Sequence, residues 1–473
     1  MAGLLPALST LAKEISSTSA ITQSIQFLRG RRGVLSNFDD VEEFALRADE
    51  SRDHVLKACE HHLVRVRAAI AQRLWSRQVF IGVSVIDALV FRAIAASPNP
   101  VKWVLEFIRE GGLHSPGLVI YPVHSLGFLG VGFFQAITGK RLRYISRPYG
   151  LALSPQTNSF KDTCAFLQDA ARVLGVRLKL PMDLIEHWDR SRATKWLTSN
   201  PLMALKVHSF PGGYHENQFF LLNKLRFSAT FIVMLTSLQP PLSRAVELDR
   251  LSSSRLNNHE TLDLRHYIVL FPHKGGRKLS GDCVPMNLGR PALAAISDLG
   301  VEIDPVHWRR PRKLHVRLHR ALQAAQGGYF RHGLFNRDDL PGRVYRQVVR
   351  SLTFFRRSFQ QRESNDEAIV SLAVAFELLL TDHYLKGINK HIQKRLALAL
   401  RGTPGTRALR KSVAALYAAR SEIVHQGVTK QDLDVSMVRR TYVHAFMSVA
   451  EKLRRLPAVS GSPIGDILGD KKS

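Results

Sequence analysis

The sequence is long, ordinarily hydrophobic and strongly basic. Its 473 residues leave room for two or three domains with separate cores, and its 45% hydrophobic and 22% charged content is ordinary for a soluble protein. The net charge of +28 favours polyanionic partners, with nucleic acid ahead of an anionic membrane surface. The alternative is an arginine-rich surface that serves solubility alone.

The cysteines and the N-terminus bear on the compartment. Cys59, Cys164 and Cys283 are far apart and none belongs to a CxxC pair, which argues against a disulfide framework and a structural zinc site. The first residues lack the basic and apolar segments of a signal peptide. Residues 116–137 are nearly uncharged, but their glycines and Pro122 favour buried strands over a membrane span. We expect a cytoplasmic protein without a membrane segment.

Residues 1–110 form the first predicted region, which is helical. Apolar residues spaced among charges predict helices over 41–58 and 62–75. The Cys-Glu-His-His run at 59–62 superficially resembles a metal site, but neighbours on a helix point about 100° apart and rarely converge on one ion. We therefore expect neither a metal nor another cofactor.

Residues 111–304 form the second predicted region, with mixed α and β structure. Alternating residues at 140–145 and the apolar run 267–271 predict strands, and 217–238 predicts a helix with one apolar stripe. The loop 272–278 carries three basic residues, yet it lacks the GxxxxGK[ST] spacing of a phosphate-binding P-loop. We interpret it as a solvated hairpin tip, with contact to a nucleic-acid backbone as the alternative.

Residues 305–362 form a predicted basic helical connector. They hold fourteen Lys and Arg against two acids, which leaves a charge of +12. The second helix of this region has an inward apolar stripe and a separate face of four arginines, named here the arginine face. The arginine face consists of Arg343, Arg346, Arg350 and Arg357. It predicts a binding surface for an RNA backbone, and a solvated helix face is the alternative.

Residues 363–457 are predicted to form four helices with short connections, which is typical of an up-and-down four-helix bundle. Ser364 and Glu367 match a capping box at the start of the first helix. The second helix stops at the helix-breaking residues 401–405, and Gly427 marks the end of the third.

The last predicted region is a tail. Residues 458–473 follow a proline and contain several Gly and Ser, and they are predicted to be disordered. The predicted fold class is therefore mainly α with some β, in which an α+β N-terminal region precedes the four-helix bundle.

The third helix of this bundle carries the most informative motif of the chain, at 416–427. Within six residues it holds a permanent cation (Arg420), a small hydroxyl (Ser421) and a titratable imidazole (His425). Arginine binds a phosphate bidentately, and histidine transfers protons near neutral pH. These three residues supply the minimum chemistry for cleaving RNA through its own 2′-hydroxyl without a metal.

The C-terminal helices resemble a HEPN domain, and more specifically the ApeA-like branch found in bacterial proteins. Four features carry the resemblance, in the same order along the chain. They are Ala375-Phe376-Glu377-Leu378-Leu379-Leu380 on the first helix, Lys394-Arg395-Leu396-Ala397 on the second, Tyr417-Ala418-Ala419-Arg420-Ser421 on the third, and Ile423-Val424-His425-Gln426-Gly427 at its end. The resemblance covers about the last hundred residues, and the preceding part is similar to such proteins only in general layout.

The resemblance implies a metal-independent endoribonuclease that acts on RNA as a homodimer. By resemblance, His425 is the general acid or base at the 2′-hydroxyl or the leaving 5′-oxygen, and Arg420 holds the scissile phosphate. Ser421 would hydrogen-bond the phosphate, and Glu377 and Tyr417 would be supporting residues. Proteins of this kind often act as toxins or in anti-phage defence, where RNA cleavage halts growth.

Helix geometry places a condition on this interpretation. Five residues along an ideal helix turn about 140°, so Arg420 and His425 do not share a face, whereas Ser421 and His425 do. Either the helix ends before His425 and redirects it, or the long arginine side chain closes the gap. The alternative is that Arg420 caps carbonyls or pairs with Glu377 while His425 only terminates the helix.

Two other functions remain open at this point. The arginine-to-histidine spacing is a weak signal by itself, because it recurs at 310–315 and 439–444. One alternative is a non-catalytic HEPN protein that dimerises and binds nucleic acid as a regulator or scaffold. The other is that residues 1–350 hold an unrecognised enzymatic domain, with the HEPN bundle as its oligomerisation or effector module.

Overall fold

The chain forms two compact units. The first comprises Met1–Gly117, Val207–Leu221 and Leu270–Ser280, and the second comprises Leu118–Lys206, Leu222–Val269 and Gly281–Ser473. The computed structural model describes residues 8–77, 79–110, 116–123, 126–128, 144–146, 150–157, 159–178, 180, 187–188, 190–191, 194–209, 214–239, 266–272, 279–285, 293, 296–297, 299–303, 312–334, 339–359, 365–382, 387–457 and 459–470.

The described part of the first unit is dominated by helices. They are Leu8–Ser16 (α1), Ser19–Gly30 (α2), Arg32–Leu35 (α3), Val41–Glu50 (α4), His54–Ser76 (α5), Val83–Ala96 (α6) and Pro100–Glu110 (α7). The long helix α5 packs against α2, α4 and α6. It buries Leu63, Val66 and Ile70, which recur at i, i+3 and i+7 and therefore share one face.

The helices predicted over 41–58 and 62–75 are present, but the break between them lies earlier than expected. The α4 helix ends at Glu50, and α5 begins at His54. Asp53 sets this start, because its carboxylate accepts a hydrogen bond from the backbone N–H of Val55 at 2.7 Å.

The described strands form one mixed sheet and a separate pair. They are Val79–Phe80 (β1), Pro116–Pro122 (β2), Leu126–Phe128 (β3), Tyr144–Ser146 (β4), Leu151–Ser154 (β5), Leu202–Ser209 (β6), His266–Pro272 (β7), Leu279–Pro285 (β8) and Val301–Ile303 (β9). The sheet has the order β4-β5-β6-β2-β7-β8, and β1 pairs with β6. The β4–β5 and β5–β6 pairs are antiparallel, whereas β1–β6 and β3–β9 are parallel.

Two of the sequence predictions for this region are confirmed. The apolar run 267–271 lies within β7, and the helix predicted over 217–238 is Tyr214–Ser237. Of the strand predicted over 140–145, only 144–145 lie among the described residues, in β4. Most of the loop 272–278, from residue 273 onward, lies outside them.

The remaining helices follow in chain order. They are Phe160–Leu174 (α8), Trp196–Ser199 (α9), Tyr214–Ser237 (α10), Arg312–Gly328 (α11), Leu340–Arg357 (α12), Asn365–Leu380 (α13), Ile388–Ala399 (α14), Thr406–Gln426 (α15), Val435–Lys452 (α16) and Pro463–Leu468 (α17). A π-helical turn, Tyr329–Gly333, extends α11. All four helices predicted over 363–457 are therefore present as α13 to α16, although Ser364 of the predicted capping box lies outside the described residues.

Helix α12 packs directly on the C-terminal helices, so it is more than a connector. Its predicted inward stripe is confirmed as buried: Val348, Leu352, Phe355 and Phe359. Ser351 donates from Oγ to the Ala375 carbonyl oxygen on α13 at 2.7 Å, and its Oγ lies 2.6 Å from the Tyr442 hydroxyl on α16. On α11, a Cβ added to Gly328 would lie 2.0 Å from Cε1 of Tyr345, so the close approach of these two helices requires glycine there.

The prediction of a disordered tail over 458–473 is wrong for residues 463–468, which form α17. Ile464 and Leu468 of this helix are buried. The buried guanidinium of Arg395 on α14 pairs with Asp470, which follows α17. Burial of two apolar side chains and one ion pair explains why a Gly- and Ser-rich segment is ordered.

The fold class is mainly α with some β, as predicted. Among the described residues, no helix combines the length and the apolar character needed to cross a membrane.

Candidate active site

The motif at 416–427 lies in the second half of α15, and the helix continues past His425. It ends at Gln426, where Gly427 adopts a φ of +79° and donates its backbone N–H to the Ile423 carbonyl oxygen at 2.9 Å. Only glycine adopts this left-handed conformation at little cost, so Gly427 is the helix cap predicted from sequence. His425 is therefore helical, so of the two alternatives offered by the sequence, the one in which the helix ends before His425 does not apply.

The three motif residues face different environments. Ser421 and His425 are exposed and, four residues apart, lie on one face of α15. Arg420 is half-buried and lies about 140° around the helix from His425. Within the part of the chain that the structure describes, no hydrogen bond or ion pair joins Arg420 to His425.

The Arg420 charge acts on the two supporting residues. Tyr417 is buried and donates its hydroxyl to the Ala373 carbonyl oxygen on α13 at 3.2 Å. Burial raises the pKa of Glu377, also on α13, and the nearby Arg420 charge opposes that rise. Burial likewise raises the pKa of Tyr417, helped by the Glu377 charge and opposed by that of Arg420. Arg420, Glu377 and Tyr417 therefore form one electrostatic cluster between α13 and α15.

The exposed end of α15 is unusually apolar. Val424 and Val428 are each 55% exposed, on either side of the cap at Gly427, and His425 lies next to Val424. Single exposed valines are common, but two beside an exposed imidazole and hydroxyl form a surface with both apolar and reactive groups. This surface, composed of Ser421, Val424, His425 and Val428, is named here the α15 end.

Sequence reasoning missed Glu422, which organises the loop after the α15 end. One carboxylate oxygen accepts from the Thr429 hydroxyl at 2.8 Å and the Lys430 backbone N–H at 3.2 Å. The other accepts from Nε2 of Gln431 at 2.8 Å. The hydrogen bonds from Thr429 and Gln431 lower the pKa of Glu422. Polar residues seven to nine positions beyond a helical glutamate are the only sequence signal for such a clamp.

The structure distinguishes the motif at 416–427 from the same arginine-to-histidine spacing at 439–444. Arg439 packs its guanidinium 4.0 Å from the centre of the Phe359 ring and donates to Ser358. His444 is largely buried, and burial lowers its pKa to about 4, with smaller contributions from Arg440 and Arg317. Arg439 is half-buried and its guanidinium is already engaged by Phe359 and Ser358, which favours a structural role for this pair. For the spacing at 310–315, Arg310 lies outside the described residues.

His444 gives a pH prediction. An unfolded histidine has a pKa of about 6.5, whereas His444 in the folded protein has a pKa of about 4. Between these two pH values the unfolded chain binds a proton at His444 and the folded chain does not. Stability therefore falls as the solution is acidified through this window. From about pH 7.5 to about pH 5 we expect His444 to account for a loss of about 2 kcal/mol in unfolding free energy. Urea denaturation at both pH values should show a smaller loss of unfolding free energy in His444→Gln than in the wild type. Equal losses in the two proteins would show that His444 does not cause the effect.

The arginine face lies along α12. Its four arginines fall within an arc of about 60° and span about 21 Å along the helix. Three of them (Arg343, Arg350 and Arg357) are exposed, and in the described part of the chain no carboxylate lies within ion-pair distance of these three. Arg346 is half-buried and donates to the Gly333 carbonyl oxygen at 3.3 Å. The predicted surface thus has three outward cations and one that also supports the π-helical turn.

The direction of the arginine face follows from contacts between α12 and α16. Ser358, just after α12, contacts Arg439 near the start of α16. At the other end, the Arg454 charge beyond α16 acts on Tyr345 near the start of α12. The two helices are therefore antiparallel, and Arg357 lies toward the end of α16 that is joined to α15 through residues 427–434.

The part of the chain that the structure describes contains no metal-binding cluster. Among these residues, no cluster of three or more His, Cys, Asp or Glu side chains has the geometry to hold an ion. Comparison of the chain with protein-family models, with curated proteins and with solved structures finds no match.

Proposed function

We propose that the chain is a metal-independent HEPN-type endoribonuclease. The observation that carries the proposal is the exposed Ser421 and His425 pair in the last turns of α15, one residue and five residues after Arg420. The motif resemblance at 375–380, 394–397 and 417–427 supports the same assignment.

In this reaction the substrate supplies its own nucleophile. His425 takes the proton of the ribose 2′-hydroxyl, and the freed oxygen attacks the adjacent phosphorus. The bond from phosphorus to the 5′-oxygen breaks, and that oxygen leaves with a proton from a second acid. Arg420 neutralises the charge on the phosphoryl oxygens, and Ser421 donates a hydrogen bond to one of them. The products carry a 2′,3′-cyclic phosphate and a 5′-hydroxyl.

A homodimer through the α15 end supplies the second acid in this proposal. Within one chain Arg420 and His425 point about 140° apart, so a single copy presents them poorly to the same phosphate. A second copy placed on the α15 end would bring its own His425 to the site and cover Val424 and Val428. The exposure of both valines supports this arrangement.

Cleavage assays test the proposal directly. The purified full chain is incubated with single-stranded RNA in excess EDTA, and the ends of the products are identified. Cleavage that leaves 2′,3′-cyclic phosphates supports the proposed chemistry. Cleavage that requires a divalent metal and leaves 3′-hydroxyl ends would overturn it.

The second candidate function is a non-catalytic RNA-binding dimer that serves as regulator or scaffold. The observation in its favour is that the Arg420 charge already acts on Glu377 and Tyr417 within the fold. RNA retention without cleavage, at a dimer-forming concentration, would favour this function. A role as a cytoplasmic toxin or in anti-phage defence rests on the resemblance, and growth arrest on induced expression, absent in a His425→Ala strain, would support it.

The arginine face is proposed as the RNA backbone surface. Affinity for single-stranded nucleic acid falls with salt by a log–log slope of about 0.7 per neutralised phosphate. The double variant Arg343→Ala/Arg350→Ala should therefore make this slope shallower by about 1.4. Filter binding or fluorescence anisotropy across a salt series measures the change.

A charge-matched variant makes this prediction specific. Arg47 and Arg52 are exposed in the first unit, and the double change Arg47→Ala/Arg52→Ala removes the same net charge. This control should leave the slope unchanged. Equal salt-dependence slopes for both double variants and the wild type would show that the arginine face does not contact the RNA backbone.

A further inference from the structure

A cleft of about 490 Å³ lies in the first unit between the end of α2 and the end of α6. This volume falls within the range of small-molecule sites in proteins. The walls combine charge with apolar surface. They include Arg29, Gly30 and Arg32 on one side and Ile94, Ala95 and Pro98 on the other.

The charge of the cleft is positive. Arg29 and Arg32 are exposed, and in the described part of the chain neither has an ion-pair partner. Among the described residues that line the cleft, none is Asp or Glu. The C-terminal ends of α2 and α6 each contribute about half a negative charge, which the two full guanidinium charges outweigh. Two adjacent arginines suit an anion with several oxygens, above all a phosphate.

Gly30 leaves the cleft open. It is the last residue of α2, its φ is not positive, and a Cβ added there would meet no atom within 4 Å. Neither backbone conformation nor packing within the fold therefore requires glycine at this position. Because Gly30 lines the cleft and an added Cβ would meet open space, a bulky side chain at this position is expected to reduce the room for a ligand.

We propose that this cleft binds a nucleoside phosphate. The phosphate lies between Arg29 and Arg32, and the base rests on the exposed Ala95 and Pro98. Arg31, between the two cations, is engaged elsewhere, since its guanidinium lies 5.8 Å from the centre of the Phe27 ring. This site is independent of RNA cleavage at the α15 end.

Isothermal titration calorimetry of the full chain with ADP, inorganic phosphate and adenosine tests the proposal, in EDTA near physiological ionic strength. We expect one ADP per chain and weaker binding of phosphate and of adenosine, because each probe carries only half of the recognised groups. Arg29→Ala and Arg32→Ala should each weaken ADP binding by about tenfold.

Two matched pairs separate this cleft from other basic surfaces. Gly30→Leu, which adds a bulky side chain to the wall of the cleft without changing charge, should weaken ADP binding by about tenfold. Gly33→Leu should not, because Gly33 is also unobstructed but lies outside the lining. Arg343→Ala/Arg350→Ala should leave ADP binding intact. Absence of ADP binding to the wild type, or binding that neither Gly30→Leu nor Arg29→Ala weakens, would overturn the proposal.

Discussion

Replacing His425 with alanine is expected to lower the rate of the proposed RNA cleavage by about 10²–10⁴-fold, the usual contribution of a general acid or base. RNA affinity should change little, because the arginine face and Arg420 remain. His425 is exposed, and its side chain makes no hydrogen bond or ion pair with the residues that the structure describes, so folding should be unaffected. Single-turnover cleavage rates and equilibrium RNA binding, measured on the same preparations, separate the two effects.

His444→Gln is the matched control for this prediction. His444 also follows an arginine by five residues, but it is largely buried on α16. Per folded molecule, this variant should cleave at the wild-type rate near neutral pH. Cleavage that persists in His425→Ala, or an equal loss in both variants, would place the active site elsewhere in the chain.

Arg420 can be tested by charge as well as by removal. Arg420→Ala should lower cleavage, since the phosphoryl charge loses its cation. Arg420→Lys keeps the positive charge but loses the planar, bidentate fork, so partial activity is expected. Wild-type activity in Arg420→Ala would show that this arginine serves only the cluster with Glu377 and Tyr417.

The sequence predicted the parts of the fold that depend on local periodicity. The apolar stripes of α10 and α12 recur at helical spacing, and each is buried as expected. The cap at Gly427 was equally predictable from the sequence, because a glycine after a long helical pattern commonly ends the helix. These features depend on residues within one helix and its ends.

Features that depend on distant residues were not predictable in the same way. The tail over 458–473 was expected to be disordered from its Gly and Ser content, yet α17 is held by side chains on other elements. For the candidate site, helix periodicity correctly placed Arg420 and His425 on different faces. It did not reveal that Arg420 is the half-buried member, because that depends on where α13 packs.

The buried ion pairs of Arg395 join α14 to the C-terminal segment. The Arg395 and Asp382 side chains are each 3% exposed, and one guanidinium nitrogen lies 2.7 Å from an Asp382 oxygen. Nε of Arg395 lies 2.9 Å from Asp470, whose side chain is 6% exposed. Ser462 accepts from the same guanidinium at 2.7 Å, and Asp382 accepts the backbone N–H of Ile464 at 2.6 Å. One arginine thereby fixes both flanks of α17.

Arg395→Ala is expected to lower the unfolding free energy of the C-terminal helices by about 3–5 kcal/mol, since it leaves buried Asp382 without its arginine and Asp470 with only the exposed Lys394 as a counter-charge. Lys394→Ala is the control: Lys394 also pairs with Asp470, at 2.8 Å, but its side chain is 52% exposed, so a loss below about 1 kcal/mol is expected. If uncompensated charge is the cause, Asp382→Asn and Asp470→Asn should restore much of the stability when added to Arg395→Ala. Chemical denaturation of the wild type, Arg395→Ala, Lys394→Ala and the triple variant Arg395→Ala/Asp382→Asn/Asp470→Asn measures these free energies. Equal losses in Arg395→Ala and the triple variant would instead assign the effect to lost packing.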